Sequence, residues 1–257
     1  MIELAKPGKL AVVILAAGQG TRMKNPLMAK VMYEIGGRPM VEYVVELAVK
    51  LQAVRIILVV GWQRQSVVDH ISRTNPVVEF VEQTEQLGTG HAVLQTASVL
   101  AEFEGDVLVL SGDVPLLSEK TARALVGFHR ATDAVATILT AEIEEPSGYG
   151  RIVRHQDGSV KKIVEHKEAG KKELAINEIN SGIYLFDRQK LFECLFQLTP
   201  KNVQGEYYIT DIFEMFWNNK WRVSAVKAID PLEVMGVNDG GQLDIARNLI
   251  NSRLAQA

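Results

Sequence analysis

The chain has 257 residues, of which 28 are Lys or Arg and 31 are Asp or Glu, so its formal net charge is −3 at pH 7. This charge excludes the strongly basic surface of a dedicated nucleic-acid-binding protein. A content of 47% hydrophobic and 23% charged residues is typical of a globular chain, and the length suits one large domain or two small ones. The single cysteine, Cys194, excludes an intrachain disulfide and a multi-cysteine metal site, and favours a reducing, cytoplasmic environment.

The first apolar run is too short to cross a membrane. It extends from Leu10 to Ala17 and is followed by glycines and Arg22, whereas a membrane-spanning helix needs about 20 apolar residues. Lys6 and Lys9 precede the run, but no signal-peptidase site follows it. We therefore interpret the run as a buried strand and expect no association with a membrane.

Strand and helix patterns alternate in the first half of the chain. Short apolar runs predict strands at residues 10–15, 55–60 and 106–110. Helical spacing between them predicts helices at residues 39–51, 63–73 and 88–103. The alternation predicts an α/β fold with a mainly parallel, doubly wound sheet. Because such sheets bind ligands beyond the carboxyl ends of their strands, we expect three loops to share one crevice, at residues 16–30, 83–90 and 111–116.

The pattern changes after residue 145. Residues 149–155 and 159–166 predict a β-hairpin around the turn Asp157-Gly158. With a further strand at residues 183–186, this part forms a small β region inserted beside the sheet. The remaining predicted elements are helices at 187–198 and 210–219, a strand at 221–229 and an amphipathic helix at 239–254, capped by Asn238 or Asp239.

A loop suited to phosphate binding follows the first predicted strand. Residues 15–22 read LAAGQGTR, and Lys30 lies eight residues after Arg22. Small residues let backbone N–H groups approach a phosphate, while Arg22 and Lys30 supply positive charge. The loop is no Rossmann fingerprint, because Met23 replaces the third glycine, and no Walker A loop, because Gly-Lys-Ser/Thr is absent. Its glycines alone favour a plain tight turn, but the strand and the basic residues favour a polyphosphate site.

Eight segments resemble the bacterial N-acetylglucosamine-1-phosphate uridylyltransferases, a family of nucleotide-sugar pyrophosphorylases. They occur in the family's order along nearly the whole chain, and they are LAAGQGTRM, EQLGTGHA, LSGDVPLL, GYGRIVR, IVEHK, NEINSGIY, QGEYYITD and GVND. The resemblance implies a Rossmann-like nucleotide-diphospho-sugar transferase fold. It implies a nucleotidyltransferase domain at residues 1–238, with a sugar-binding part at about 145–186, and a C-terminal helix at 239–257.

The resemblance also implies an activity and its substrates. The family transfers UMP from UTP to N-acetyl-α-D-glucosamine 1-phosphate, which gives UDP-N-acetylglucosamine and pyrophosphate. By matching positions, the resemblance places Arg22 and Lys30 on the phosphates. It assigns a further set of residues to the nucleotide, namely Leu15, Ala16, Ala17, Gly18, Gly20 and Thr21.

The resemblance implies that three more matched positions contact the uracil, namely Gln83, Gly88 and Thr89. A carboxamide can donate to and accept from the uracil edge, and Gly88 leaves room for a flat base. Taken alone, Gln83 would be a solvated loop residue, and Gly88-Thr89 the start of a helix.

Asp113 and Asn238 match the family's metal ligands. Asp113 follows an apolar strand, where a carboxylate suits Mg²⁺, an ion that takes one or two protein oxygens and completes its shell with water and phosphate. The resemblance makes Asp113 a catalytic residue and a ligand, with Asn238 as the second ligand. Taken alone, Asp113 is a turn residue and Asn238 a helix cap.

The sugar phosphate is assigned to Gly150, Glu165 and Asn180, with Tyr149 close by, again by matching positions. Carboxylate and carboxamide groups bind hydroxyls well. Taken singly, these residues would be two turn residues and a solvent-facing strand residue. His91 is not expected to act as a base, because a phosphate monoester is already an anionic nucleophile at neutral pH.

The sequence departs from the family's pattern in several places, among them Met32-Tyr33 in place of Leu-His and Ser181 in place of Thr. The family usually has proline directly before the lysine that matches Lys30, whereas here Met28-Ala29 precede it and Pro26 falls earlier. Family members continue into a left-handed β-helix with acetyltransferase activity, and the present sequence ends at Ala257. We therefore expect no acetyl transfer, and a monomer or weak homodimer. The alternatives are another sugar 1-phosphate, such as glucose 1-phosphate, and a non-catalytic UDP-sugar-binding regulatory protein.

Overall fold

Strands and helices alternate along most of the computed structural model, which describes residues 8–23, 25 and 27–255. Lys6 and Pro26 lie outside these residues. The described strands are β1 (Leu10–Ala16), β2 (Glu34–Ile35), β3 (Arg38–Pro39), β4 (Arg55–Val60), β5 (Glu79–Glu82), β6 (Asp106–Ser111), β7 (Ala136–Glu142), β8 (Gly150–Arg154), β9 (Val160–Val164), β10 (Glu178–Asp187) and β11 (Val223–Lys227). The described α-helices are α1 (Met40–Lys50), α2 (Arg64–Thr74), α3 (Thr89–Leu94), α4 (Glu119–Thr132), α5 (Lys171–Leu174), α6 (Arg188–Leu195), α7 (Ile212–Asn218) and α8 (Gly240–Ala255).

One mixed sheet forms the centre of the fold, in the order β11-β7-β10-β6-β1-β4-β5. β1 is parallel to β4 and β6, β4 to β5, and β7 to β11, whereas β10 is antiparallel to both β6 and β7. All strands of this path except β10 therefore point in one direction, which confirms the predicted mainly parallel sheet. The hairpin β8–β9 joins the edge of β10 through β8, which confirms the inserted β region.

The central strands are apolar on both faces because helices cover both sides of the sheet. In β1, Val12 and Ile14 face a core that includes Val41 and Val44 of α1. Val13 of the same strand points to the opposite core. Period-2 alternation therefore distributes one continuous apolar run between two cores.

One predicted helix is shorter than its pattern indicates. The prediction of a helix over residues 88–103 is wrong beyond Leu94, where α3 ends. The backbone N–H of Thr96 donates to the Val93 carbonyl, and that of Ala97 to the Leu94 carbonyl. These i to i−3 bonds tighten the chain into successive turns. The Thr96 hydroxyl also donates to the Val93 carbonyl at 2.7 Å, which offers the backbone a partner outside the helix.

The C-terminal helix α8 begins after Asp239. The Asp239 carboxylate accepts a hydrogen bond from the backbone N–H of Gln242 at 2.9 Å, so Asp239 and not Asn238 caps the helix. Asn238 is thereby left to make other contacts. α8 is amphipathic in its packing, with Leu243, Ala246 and Ile250 buried. No helix within the described residues is long and apolar enough to cross a bilayer.

An aromatic cluster fills the core on the side of α6 and α7. Phe213 lies at its centre, with ring centroids 5.4 Å from Tyr184, 5.7 Å from Phe186 and 5.7 Å from Phe216. All four side chains are buried. Such offset and edge contacts add to the burial of apolar area. The cluster therefore anchors α7 to β10.

Phe213→Ala is expected to lower the free energy of unfolding by about 3–5 kcal/mol, because it leaves a large cavity in this core. Urea denaturation followed by circular dichroism measures the change. Phe196→Ala is the control, since the Phe196 side chain is 68% exposed and its loss should cost less than about 1 kcal/mol. Equal losses for the two variants would contradict the central role of Phe213.

Candidate functional site

The three loops predicted to share a crevice meet at one cavity of about 300 Å³. It lies beyond the carboxyl ends of β1, β5 and β6, where doubly wound sheets bind ligands. Its lining includes Leu15, Ala16, Ala17, Gly18, Lys30, Gln83, Gly88, Thr89 and Asp113. The predicted crevice is confirmed, and most of the residues assigned to the nucleotide line it. We call it the nucleotide cavity.

A second cavity of about 210 Å³ adjoins the first. Leu15, Thr89 and Ser111 line both cavities, so the two are neighbours across these three residues. The four residues assigned to the sugar phosphate all line the second cavity, and they are Tyr149, Gly150, Glu165 and Asn180. We call it the sugar cavity.

A larger cavity of about 460 Å³ lies elsewhere, between Leu10 at the start of β1 and Arg130 of α4. None of the residues predicted for function line it. It is at the amino end of a parallel strand, which is the edge opposite to the one where such sheets bind ligands. Size alone therefore does not identify the functional site.

A charged network joins three distant parts of the chain beside the nucleotide cavity. The Lys30 ammonium forms an ion pair with Asp113, and both side chains are 16% exposed. Lys30 also donates to the Asn238 side-chain oxygen at 3.1 Å, and Arg22 donates to the same oxygen at 2.9 Å. The backbone N–H of Val237 donates to the Asp113 carbonyl at 2.9 Å, which holds Asn238 next to Asp113.

The oxygens of Asp113 and Asn238 fit a divalent cation such as Mg²⁺. Both point at one cation already, the ammonium of Lys30. The Asn238 amide nitrogen donates to the Gly236 carbonyl at 3.1 Å, which turns its oxygen toward that position. Within the described residues no group of three or more His, Cys, Asp or Glu could hold a metal ion. A Mg²⁺ ion here would therefore take its other ligands from water and phosphate.

Gly20 and Thr21 line neither cavity, although both were assigned to the nucleotide. Gly20 has φ +61°, and a Cβ atom there would lie 2.6 Å from the Lys30 Cβ. Gly20 thus gives Lys30 the space to pack against the loop. Thr21 begins a 3-10 turn over Thr21–Met23, and this turn places the Arg22 guanidinium within hydrogen-bond distance of the Asn238 side-chain oxygen. Both residues shape the loop around the charged groups.

The structure corrects two of the reasons for expecting uracil contacts, namely the room at Gly88 and the donor and acceptor groups of Gln83. Gly88 has φ +105°, and a Cβ atom there would lie 2.7 Å from the Tyr207 carbonyl oxygen. The space at Gly88 is therefore needed by the backbone of Tyr207 and not by a base. The Gln83 side-chain nitrogen already contacts the Gly88 carbonyl at 3.1 Å and His91 Nδ1 at 3.0 Å. A ligand can therefore use only the oxygen of this carboxamide.

One carboxylate, that of Glu165, lines the sugar cavity, and further acidic groups lie near it. Glu165 accepts a hydrogen bond from the Thr210 hydroxyl at 3.0 Å, and burial raises the pKa of its carboxyl group despite this bond. Burial together with the charges of Glu168 and Glu165 raises the pKa of Asp211 to about 6. Burial also raises the pKa of Tyr149, against the effect of a hydrogen bond from the Gly236 backbone. The Glu165 carboxylate in this lining suits a sugar, whose hydroxyl groups donate to carboxylates.

Two residues that sequence reasoning missed position the sugar side chains. The Tyr184 hydroxyl accepts a hydrogen bond from the Asn180 side-chain nitrogen at 2.7 Å, and both residues are buried. Thr210 holds Glu165, as described above. Thr210 lies in the QGEYYITD segment and Tyr184 in the NEINSGIY segment. Both segments carry the family resemblance, but only the folded chain shows which of their residues line the sugar cavity.

One family model covers most of the chain. The nucleotidyl transferase model matches residues 11–231. A curated relative named Bifunctional protein GlmU, from Bacillus cereus (strain G9842), is 48% identical over 242 residues, which is 94% of this chain and 52% of the relative. The protein of the same name from Bacillus mycoides (strain KBAB4) gives the same values. The chain therefore spans about half the length of the curated relatives it matches.

The fold is also that of a solved structure. A UDP-glucose pyrophosphorylase complexed with UDP-glucose superposes with a TM-score of 0.76, over 95% of this chain and 99% of that one. The two chains are 19% identical. This likeness confirms the α/β nucleotide-diphospho-sugar transferase fold that the motifs implied.

Asp211→Asn is expected to raise the free energy of unfolding at pH 7 by about 1–2 kcal/mol. Because the folded pKa of about 6 lies above the ordinary value of 3.8, the folded state binds the proton more tightly. The contribution of Asp211 to the free energy of unfolding therefore falls as pH rises between about 4 and 6. A plot of the free energy of unfolding against pH should lack this fall in the variant. Urea titrations at several pH values measure it.

The control is Asp244→Asn, since the Asp244 side chain is 72% exposed. We expect it to change the free energy of unfolding by less than about 0.5 kcal/mol. An Asp211→Asn protein that is less stable than the parent at pH 7 would contradict the prediction.

Proposed function

The chain belongs to the nucleotidyl transferase family, and we propose that it transfers UMP from UTP to N-acetyl-α-D-glucosamine 1-phosphate. The products would be UDP-N-acetylglucosamine and pyrophosphate. The main support is the pair of adjoining cavities with the charged network of Lys30, Asp113, Asn238 and Arg22 beside the first. A second support is the 48% identity to relatives named Bifunctional protein GlmU.

The nucleotide cavity has the groups that a uridine triphosphate requires. Small residues at 16–18 leave the backbone close to the cavity and allow N–H groups to approach phosphate oxygens. Arg22 and Lys30 would offset the charge of the triphosphate. Gln83 and Thr89 would lie at the uracil. These roles extend to the present chain the assignments that the family resemblance implied.

The reaction needs positioning and charge stabilisation more than proton transfer. An oxygen of the sugar phosphate would attack the α-phosphorus of UTP in line, so that a new P–O bond forms. The bond between the α-phosphorus and the bridging oxygen breaks, and pyrophosphate leaves with that electron pair. The nucleophile is already an anion, so His91 need not act as a base. Catalysis of this kind depends on aligned reactants and preorganised charges.

Asp113 and Asn238 are the residues that would hold Mg²⁺. When bound, this ion would offset negative charge on the phosphates as a Lewis acid. Lys30 and Arg22 contribute positive charge at the same place from the protein itself. Oxygen ligands from one carboxylate and one amide match the preference of Mg²⁺ for few protein ligands.

The β region at residues 145–186 would bind the sugar. Two side chains face the same cavity: Glu165 from the segment after β9, and Asn180 from β10. A Cβ atom at Gly150 would lie 3.4 Å from both the Asn180 Cβ and a Glu165 carboxylate oxygen. These three residues therefore converge, and Tyr149 completes the wall. Carboxylate, amide and phenol groups together can bind the hydroxyls and the N-acetyl group of the sugar.

The direct test is pyrophosphate release from UTP and Mg²⁺ by the purified chain. We expect release with N-acetylglucosamine 1-phosphate and much less with glucose 1-phosphate, because the cavity would bind the N-acetyl group. A mixture without sugar phosphate is the control. Preference for glucose 1-phosphate would overturn the proposed sugar, and no release with either sugar would overturn the proposed transferase activity.

Lys30→Met is expected to lower kcat/KM by about 10²-fold or more, because it removes a preorganised charge at the phosphates. Lys50→Met is the matched control, since Lys50 lies at the exposed end of α1. Steady-state kinetics of the parent chain and the two variants measure the effect. Equal Tm values for the three proteins show that the substitutions leave the fold intact. An unchanged kcat/KM for Lys30→Met would mean that Lys30 does not act on the substrate.

A further inference from the structure

The Gln83 carboxamide is fixed within the nucleotide cavity by its nitrogen. The side chain is 3% exposed. Its nitrogen lies 3.1 Å from the Gly88 carbonyl oxygen and 3.0 Å from His91 Nδ1. An amide nitrogen carries two hydrogens, so these two partners use its whole donor capacity. The orientation of the carboxamide therefore depends on whether His91 Nδ1 accepts or donates.

His91 meets an amide nitrogen at each of its two ring nitrogens. The Gln83 nitrogen lies 3.0 Å from Nδ1, and the Gln95 side-chain nitrogen lies 3.0 Å from Nε2. A neutral imidazole has one acceptor nitrogen and one N–H donor. Only one of the two amides can therefore donate to the ring, and the other must present its oxygen.

Burial decides which amide keeps its nitrogen toward the ring. Gln83 is buried, so turning its carboxamide would place its oxygen against the Gly88 carbonyl oxygen with no water to compensate. Turning Gln95 also moves its nitrogen away from the His91 carbonyl, to which it donates at 3.1 Å. Gln95 is partly exposed, however, so water can satisfy both its nitrogen and that carbonyl after a turn. The Nδ1 of His91 therefore accepts from Gln83, and its Nε2–H donates to the oxygen of Gln95.

We propose that His91 is a positioning residue that makes the site select pyrimidines with a hydrogen on N3. By accepting from the Gln83 nitrogen, His91 leaves only the Gln83 oxygen for the base. That oxygen accepts a hydrogen bond from the N3–H of uracil. The N3 of cytosine carries a lone pair, which would face the same oxygen and repel it. This inference rests on the proposed binding of uracil at Gln83.

The test compares kcat/KM for UTP and CTP in the parent chain, His91→Leu and His91→Asn, with N-acetylglucosamine 1-phosphate and Mg²⁺. Leucine removes one of the two acceptors that hold the Gln83 nitrogen, so that only the Gly88 carbonyl still opposes a turned carboxamide. The preference for UTP should therefore fall about tenfold, mainly through a higher KM for UTP. Asparagine offers an oxygen near the position of Nδ1 and should restore the preference. An unchanged ratio in His91→Leu would overturn the inference, as would failure of His91→Asn to restore it.

His70→Leu is the control for replacing a histidine by leucine, because His70 pairs with Glu42 between α1 and α2. Its ratio of UTP to CTP should equal that of the parent. An equal fall in His70→Leu would show a general effect of destabilisation and would overturn the role of His91.

A second measurement does not depend on activity. Nitrogen-15 NMR of the unliganded chain with labelled histidine reports which ring nitrogen carries the proton, and His91→Asn identifies the His91 signals. We expect the proton on Nε2. A proton on Nδ1 would overturn the inference. If the parent chain releases no pyrophosphate from UTP, the proposed function fails, and the NMR result still decides the state of His91.

Discussion

The ion pair between Lys30 and Asp113, extended by Asn238 and Arg22, is the interaction on which the site depends. Its members come from the loop after β1, the loop after β6 and the segment before α8. Like charges would repel in this narrow space, and the alternation of cationic and oxygen groups removes that repulsion. The hydrogen bond from Val237 to Asp113 keeps the C-terminal segment in register with the sheet. Any rearrangement that separates these segments would therefore break the charged network.

The segment at residues 202–211 joins the two cavities. Tyr207 pairs with the loop at residues 83–90 through backbone hydrogen bonds to Leu87 and Gly90, each 2.8 Å long. Three residues later, Thr210 holds the Glu165 carboxylate at 3.0 Å in the sugar cavity. One short segment thus contacts both halves of the proposed substrate site. A shift of this segment would therefore alter the two cavities together.

The two cavities differ in their charged groups. Lys30 lines the nucleotide cavity and Arg22 lies beside it through Asn238, whereas no Lys or Arg is among the described residues that line the sugar cavity, to which Glu165 contributes a carboxylate. A substrate with phosphates at one end and hydroxyl groups at the other matches this distribution. Burial, together with the charges of Glu168 and Glu165, raises the pKa of Asp211 to about 6, so the ionised Asp211 lowers the stability of the folded state.

The sequence by itself determined the layers of the fold and the edge where the site lies, because apolar runs, helical spacing and loop motifs are local signals. It also identified most residues that line the two cavities. Only the tertiary structure decided that α3 ends at Leu94, that Asp239 and not Asn238 caps α8, and that the space at Gly88 belongs to Tyr207. The approach of Tyr207 to Gly88 depends on groups brought together across the chain. The end of α3, the Asp239 cap and the His91–Gln83 contact each join residues close in sequence, but which of several nearby polar groups pair is decided only in the folded chain. Local patterns carry no record of such partners, and burial decides which polar groups must pair.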